Sequence, residues 1–147
     1  MLTTAVGGAD LFGALVALCN RFRTEGRIDC HLTLGVAHTR FDPALSDVLY
    51  RTVDELLTNV RRHARATRVA VASARARDGS VLISVADNGV GFPEDWRRSN
   101  AFSPEAGVGL WCIDQRLREF DAYLDIHSTR EGSRVTVVLP SRLLNDG

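Results

Sequence analysis

Apolar positions along this chain recur with two periods, one helical and one of two residues, and the switches between them mark out its elements. Residues 10–25, "DLFGALVALCNRFRTE", set Leu11, Leu15, Leu18 and Phe22 on one helical face. "IDCHLTLGV" (28–36) alternates as a strand does. The strongest helical pattern is "DPALSDVLYRTVDELLTNVRRHARA" (42–66), where Asp42 is placed to cap the helix and Pro43 suits its first position. Leu45, Val48, Leu49, Val53, Leu56, Leu57 and Val60 form a wide apolar stripe there, with Asp47, Asp54, Thr58, Arg61 and Arg65 toward water.

Two strand-like runs follow, "TRVAVASARAR" (67–77) and "SVLISVAD" (80–87), joined at Asp78-Gly79, a strong hairpin signal. Residues 92–106 have no clear period and read as a loop with one helical turn at most. "GVGLWCIDQRLREF" (107–120) restarts a helix with Leu110, Ile113 and Leu117 on one side, and "AYLDIHS" and "SRVTVVLP" form a second hairpin around Gly132. Consecutive hairpins are incompatible with a wholly parallel, doubly wound sheet. The expectation is an α+β fold: a two-layer sandwich, its mixed sheet covered on one face by helices, with residues 1–147 forming a single domain.

Composition narrows the chemistry. Net charge is zero, 18 basic residues against 18 acidic, so nothing points to a coat for nucleic acid or for an anionic membrane surface. All 18 basic residues are Arg, which removes every mechanism that needs a lysine, the phosphate-binding P-loop included. Cys19, Cys30 and Cys112 lie far apart and are expected to be buried, reduced thiols of a cytoplasmic protein. The N-terminal stretch lacks the basic region of a signal peptide and is broken by Gly and Asp10, so it reads as a docking helix.

Three stretches carry candidate chemistry. On the long helix, Glu55, Asn59 and His63 recur at i, i+4 and i+8, within roughly 80° of one another beside the apolar stripe. Such an edge is either an ordinary helix boundary, with Glu55 salt-bridged to Arg51 or Arg62, or the wall of a cavity. In the second case the Asn59 oxygen is a hard, neutral ligand suited to Mg²⁺, which keeps several of its waters. In "VADNGVGF" (85–92), Asp87 stands at a strand end with Gly89 and Gly91 just after it. This is a turn, or a carboxylate set to accept from an exocyclic amine, which adenine offers where guanine offers a carbonyl. A hydrogen bond to a charged group is worth about 1.5–3 kcal/mol, enough to favour ATP over GTP by one to two orders of magnitude. In "GVGL" (107–110), Gly107, Val108, Gly109 and Leu110 open a helix whose free N–H groups and positive dipole end suit phosphate oxygens.

Together, "ELLTN", "DNGVGF", "GVGL" and "GSRVTVVLP" resemble, in order and spacing, the N, G1, G2 and G3 boxes of the GHKL (Bergerat-fold) ATPase superfamily, which covers gyrase B, Hsp90, MutL and the sensor histidine kinases. The likeness runs from about Leu11 to Pro140 and is strongest to the catalytic domain of histidine kinases of the nitrate-sensor type. It implies that Asn59 coordinates Mg²⁺ on the ATP phosphates, that Glu55 positions or activates the attacking group, and that Arg62 or His63 approaches the phosphates. It further implies that Asp87 binds the adenine amine, aided by Gly89 and Gly91. Gly107, Gly109 and Leu110 are implied to hinge a lid and help hold the phosphates. Ser133 stands where the family usually has Thr.

Two departures stand out: "REFDAYL" replaces the usual Leu-Gly-Gly turn, and none of the four histidines fits the family's phosphoacceptor pattern. The implied protein is therefore the ATP-binding half of a cytoplasmic-facing kinase, part of a longer protein. It would donate the γ-phosphoryl group to a histidine on a separate dimerisation domain, act through that domain on a response regulator, and touch neither nucleic acid nor membrane. The alternative is a stand-alone anti-sigma-type regulator that phosphorylates a serine. A degenerate domain that binds partners without nucleotide fits poorly with intact Glu55, Asn59, Asp87 and box glycines.

Overall fold

The computed structural model describes residues 11–36, 41–92 and 108–143. Helix α1 (Leu11–Glu25) buries Leu11, Leu15, Leu18 and Phe22 as their spacing predicts, and adds Phe12 and Cys19. After β1 (Asp29–Leu34), helix α2 (Pro43–Asn59) begins where Asp42-Pro43 predicts, with the Asp42 carboxylate accepting from Ala44 N–H at 2.8 Å. Strands β2 (Arg68–Arg75) and β3 (Val81–Asp87) form the first hairpin, helix α3 (Val108–Arg118) follows, and β4 (Tyr123–Thr129) and β5 (Gly132–Leu139) form the second. The expected loop at 92–106 lies outside the described residues beyond Phe92.

The sheet order is β1-β2-β3-β5-β4, with β1 parallel to β2 and every other pair antiparallel. Alternation puts Val69, Val71, Ile83, Val85, Val135, Val137 and Leu139 on the face that meets the helices, where all are buried. A fully buried Val, Leu or Ile side chain contributes about 1.5–3 kcal/mol, so this one-sided layer explains why the helices lie where they do. The opposite face, with Ala70, Ala74, Asp125, His127 and Arg134, stays exposed. The mixed sheet covered on one face is the architecture expected from the sequence.

Three details differ from the sequence expectation. The long helix does not stay α-helical to residue 66: after Asn59 it widens into a π turn, Val60–Ala64, and ends at Arg65 in the left-handed region, φ 53°. Asp47, Asp54 and Thr58 are half-buried rather than turned to water, and Ser46 and Thr52 are buried, because α1 and α3 flank α2 and widen its covered arc. Cys112 is exposed, since α3 turns Leu110, Asp114 and Leu117 inward, whereas Cys19 and Cys30 are buried as expected.

The segment that replaces Leu-Gly-Gly still makes a tight reversal. Ala122 N–H donates to Leu117 O at 3.0 Å and Asp121 N–H to Arg118 O at 3.0 Å, with Asp121 taking the left-handed position, φ 64°, that glycine usually fills. Buried Asp114 secures this turn, accepting from Arg118 Nε at 2.7 Å and from Leu124 N–H at 3.1 Å. Helix α3 thereby folds back along β4, which returns its N-terminal end to the end of the sheet where β3 finishes.

Candidate functional site

The site is built where three chain reversals meet. Strand β3 ends at Asp87, whose rung partners are Val69 on β2 and Ser133 on β5. Asp87 has the parity of Val81, Ile83 and Val85, so its side chain lies on the helix side of the sheet. Its carboxylate is held at both oxygens: Gly89 N–H donates to Oδ1 at 2.8 Å and the Ser133 hydroxyl to Oδ2 at 2.9 Å. Each oxygen keeps a lone pair beyond those bonds, so a fixed, half-buried acceptor remains for one further donor.

The loop after Asp87 lies tight against the second hairpin. Gly91 has φ +80°, and a Cβ there would stand 1.9 Å from Thr129 O. Phe92 N–H donates to Ser128 Oγ at 2.8 Å. From the other side Gly132, φ +142°, leaves room for Asp87 O, which a Cβ would meet at 2.1 Å. The close approaches that require these two glycines are therefore backbone to backbone within the protein, and they set the path of residues 87–92. Gly89 is buried in the same loop.

The end of α2 supplies the second wall. Glu55 and Asn59 are both half-buried, on the flank of the stripe formed by Val53, Leu56 and Leu57. The salt bridge that a bland helix edge calls for is absent among the described residues: Arg51 pairs instead with Asp47 at 3.1 Å. Asn59 makes no side-chain capping bond to the π turn after it. Arg61 lies over the Phe22 ring, 4.6 Å from its centre, and so faces α1, while Arg62 is exposed. The π turn leads within a few residues to Arg68 and Val69, beside Asp87, so Asn59 and Asp87 belong to the same end of the sandwich.

Helix α3 completes the set: Val108 and Gly109 are its first residues and Leu110 is buried. Gly107 and the His63 side chain lie outside what the structure describes. A separate concavity of about 570 Å³, with Leu82, Asp125, His127, Arg134, Thr136 and Val138 in its lining, occupies the uncovered face of the sheet. It reaches Asp87 and Ser133 only at the strand ends, and the convergence of α2, β3 and α3 is on the other face.

Asn88 and Ser128 carry structural duties that the sequence reading missed. Asn88 looks like an ordinary turn residue, yet its side chain makes three hydrogen bonds to Thr67 and Arg68. No local pattern announces contacts between residues 20 and 21 apart. For Ser128 a signal existed, since its parity in β4 sets it on the helix side beside Ser133.

A fixed acceptor at a strand end, the first residues of a helix and a carboxamide without a capping bond thus stand at one end of a one-sided sandwich. No helix among the described residues is long and apolar enough to cross a membrane. The chain belongs to the histidine kinase-, DNA gyrase B- and HSP90-like ATPases, matching that family over residues 44–143. It is 30% identical over 130 residues to the sensor histidine kinase MctS of Rhizobium johnstonii, covering 88% of this chain and 27% of that protein. It is 26% identical over 136 residues to a NarQ homologue, a sensor protein of Haemophilus influenzae, covering 92% of this chain and 23% of that one. The chain thus spans about a quarter of the length of these relatives. Its fold superposes on the blue-light activated histidine kinase of Erythrobacter litoralis with a TM-score of 0.70 at 23% identity, over 87% of this chain and 41% of the other.

Proposed function

We propose that this chain is the catalytic, ATP-binding domain of a two-component sensor histidine kinase, facing the cytoplasm. It would hold Mg²⁺-ATP between α2, the β3 end and the start of α3. The observation that carries this reading is the Asp87 carboxylate, fixed by Gly89 and Ser133 with an acceptor position left over. In this reading Asp87 accepts from the adenine amine, and Ser133 and the Gly89–Gly91 loop keep the carboxylate from rotating.

The donor set at the other end fits Mg²⁺: one carboxamide oxygen, on Asn59, without a capping bond, for an ion that keeps most of its waters. Bound there, Mg²⁺-ATP supplies the transferable phosphoryl group and the charge neutralisation that its transfer needs. Glu55, one turn earlier, orients the acceptor group. Arg62 or His63 meets the phosphates, and the stretch Gly107, Val108, Gly109 and Leu110 helps to hold them. Catalysis in such a site is mainly positioning and electrostatics.

The phosphoryl acceptor in this reading is a histidine on a separate dimerisation domain, and a response regulator is reached through the full kinase. A titration with ATP and Mg²⁺, followed by addition of separately expressed dimerisation helices, tests both stages. Mg²⁺-dependent ATP binding and acid-labile phosphate on the helices are expected. Acid-labile label on this chain alone would contradict the assignment of the acceptor.

A further inference from the structure

The end of β3 does more than present Asp87. The next residue, Asn88, is exposed, yet its carboxamide is engaged at both ends: Oδ1 accepts from Thr67 N–H and Arg68 N–H, both at 2.9 Å, and Nδ2 donates to Thr67 Oγ1 at 2.9 Å. Its backbone N–H reaches Arg68 O at 3.3 Å. The last ladder pair between these strands is Val69 with Asp87. Asn88 therefore extends the β2–β3 pairing backwards, past the ladder, onto the stretch that comes off α2.

That stretch has little structure of its own. Between Asn59 and Thr67 the chain runs through a π turn and a left-handed Arg65, and residues 66–67 lie in neither helix nor strand. Its other ties are on the far side, where Asp29 N–H of β1 donates to Thr67 O at 3.0 Å and Arg61 stacks over Phe22 of α1. Among the described residues, the side-chain hydrogen bonds that join the exit of the helix carrying Asn59 to the loop carrying Asp87 are those of Asn88, beside its backbone bond to Arg68 O. Water competes for exposed hydrogen bonds, so three of them add little to global stability. What they fix is a distance.

We infer that Asn88 is a positioning residue that sets the span between the adenine end and the metal end of the site, through the grip of its carboxamide on Thr67 and Arg68. This rests on the nucleotide reading proposed above. A ligand that touches one end only is indifferent to that span. One that must reach both ends depends on it.

The test compares adenosine with Mg²⁺-ATP, by ligand-observed NMR and calorimetry, on the wild-type chain and on variants whose thermal unfolding is recorded alongside. Asn88→Ala is expected to weaken Mg²⁺-ATP about five- to tenfold and leave adenosine within twofold. Asn88→Asp is expected to restore Mg²⁺-ATP to within twofold: one carboxylate oxygen still accepts from the two N–H groups, and the Thr67 hydroxyl turns to donate to the other. If Asn88→Ala does not fold, Thr67→Ala, which deletes one of the three bonds from the opposite side, is expected to weaken Mg²⁺-ATP about twofold to threefold with adenosine unchanged. Unaltered Mg²⁺-ATP affinity in these variants overturns the inference, as does an equal loss for adenosine and Mg²⁺-ATP. A wild-type chain that binds no Mg²⁺-ATP overturns the underlying nucleotide reading itself, a different result from either.

Discussion

The Ser133 hydroxyl donates to Asp87 Oδ2 at 2.9 Å across the β3–β5 rung that pairs the two residues. With Gly89 N–H on the other oxygen, the carboxylate has no rotational freedom left, and its acceptor direction is part of the fold. Replacing Asp87 by Asn puts an NH₂ group where an acceptor stood, facing either its present donors or the adenine amine. Asp87→Asn is expected to weaken ATP at least tenfold by calorimetry, a loss of about 1.4 kcal/mol or more. Ser133→Ala, which frees one oxygen without removing it, is expected to weaken ATP about threefold, and Ser133→Thr, which keeps the hydroxyl, to stay near wild type. Unchanged affinity in Asp87→Asn would contradict the adenine role.

Asn59 stands at the other end, the last residue of α2, and makes no side-chain capping bond to the π turn after it. Asn59→Ala is therefore expected to remove the Mg²⁺ dependence of ATP binding and keep part of the adenine affinity, because the proposed function assigns Asn59 and Asp87 to different parts of the ligand. Titrations with and without Mg²⁺, on both proteins, check this. A wild-type chain that binds ATP and ADP equally with and without the metal would count against Asn59 as a ligand.

The contrast between the two ends of α2 shows what a sequence can disclose. Its start is legible because capping is local: Asp42, Pro43 and Ala44 are neighbours, and their chemistry needs nothing else. Its end is not. The helical pattern runs on to residue 66, but the chain turns through Val60–Ala64 between the Arg61–Phe22 contact and the Asn88–Thr67 bond, contacts that no periodicity encodes. The half-burial of Asp47 and Asp54 has the same origin, because it reflects helices packed on both sides of α2. The strand pairs and hairpins, by contrast, follow from alternation and turn residues. The candidate box residues stand out in the sequence through their order along the chain, while the contacts around them, such as those of Asp87 with Gly89 and Ser133, appear only in three dimensions.

Asp114 gave a signal that is easy to pass over. It falls at i+4 from Leu110 and three before Leu117, in the middle of the buried stripe, with Arg118 one turn on. In the fold it is 2% exposed and bridges Arg118 Nε and Leu124 N–H. Arg118, with its side chain 57% exposed, keeps its hydration if Asp114 is lost, so the main penalty is the orphaned Leu124 N–H together with a small void. Asp114→Ala is expected to destabilise the chain by about 2–3 kcal/mol, lowering Tm by roughly 5–10 °C. Asp114→Asn, which keeps an acceptor for Leu124, should lose about half as much. Thermal unfolding with equal Tm for all three proteins would show that the bridge contributes nothing.

The thiols provide a test of packing that needs no mutation. Cys19 on α1 and Cys30 on β1 are 0% and 2% exposed, and the two thiols hydrogen-bond to each other. The bond from Cys19 lowers the pKa of Cys30 below its usual 9.0, while the same bond and burial push Cys19 well above it. Cys112 lies on the exposed side of α3. A thiol reagent needs both access and thiolate. A lowered pKa alone does not make Cys30 reactive, because the reagent reaches it only when α1 lifts from the sheet, an opening that breaks much of the core. One equivalent of thiol is therefore expected to react quickly in the native protein and two at least about a hundredfold more slowly, with all three reacting at once in denaturant. Fast reaction of a second thiol under native conditions, located at Cys30 by mass spectrometry, would mean that α1 is not held on β1 as the Arg23 Nε bond to Cys30 O at 2.8 Å indicates.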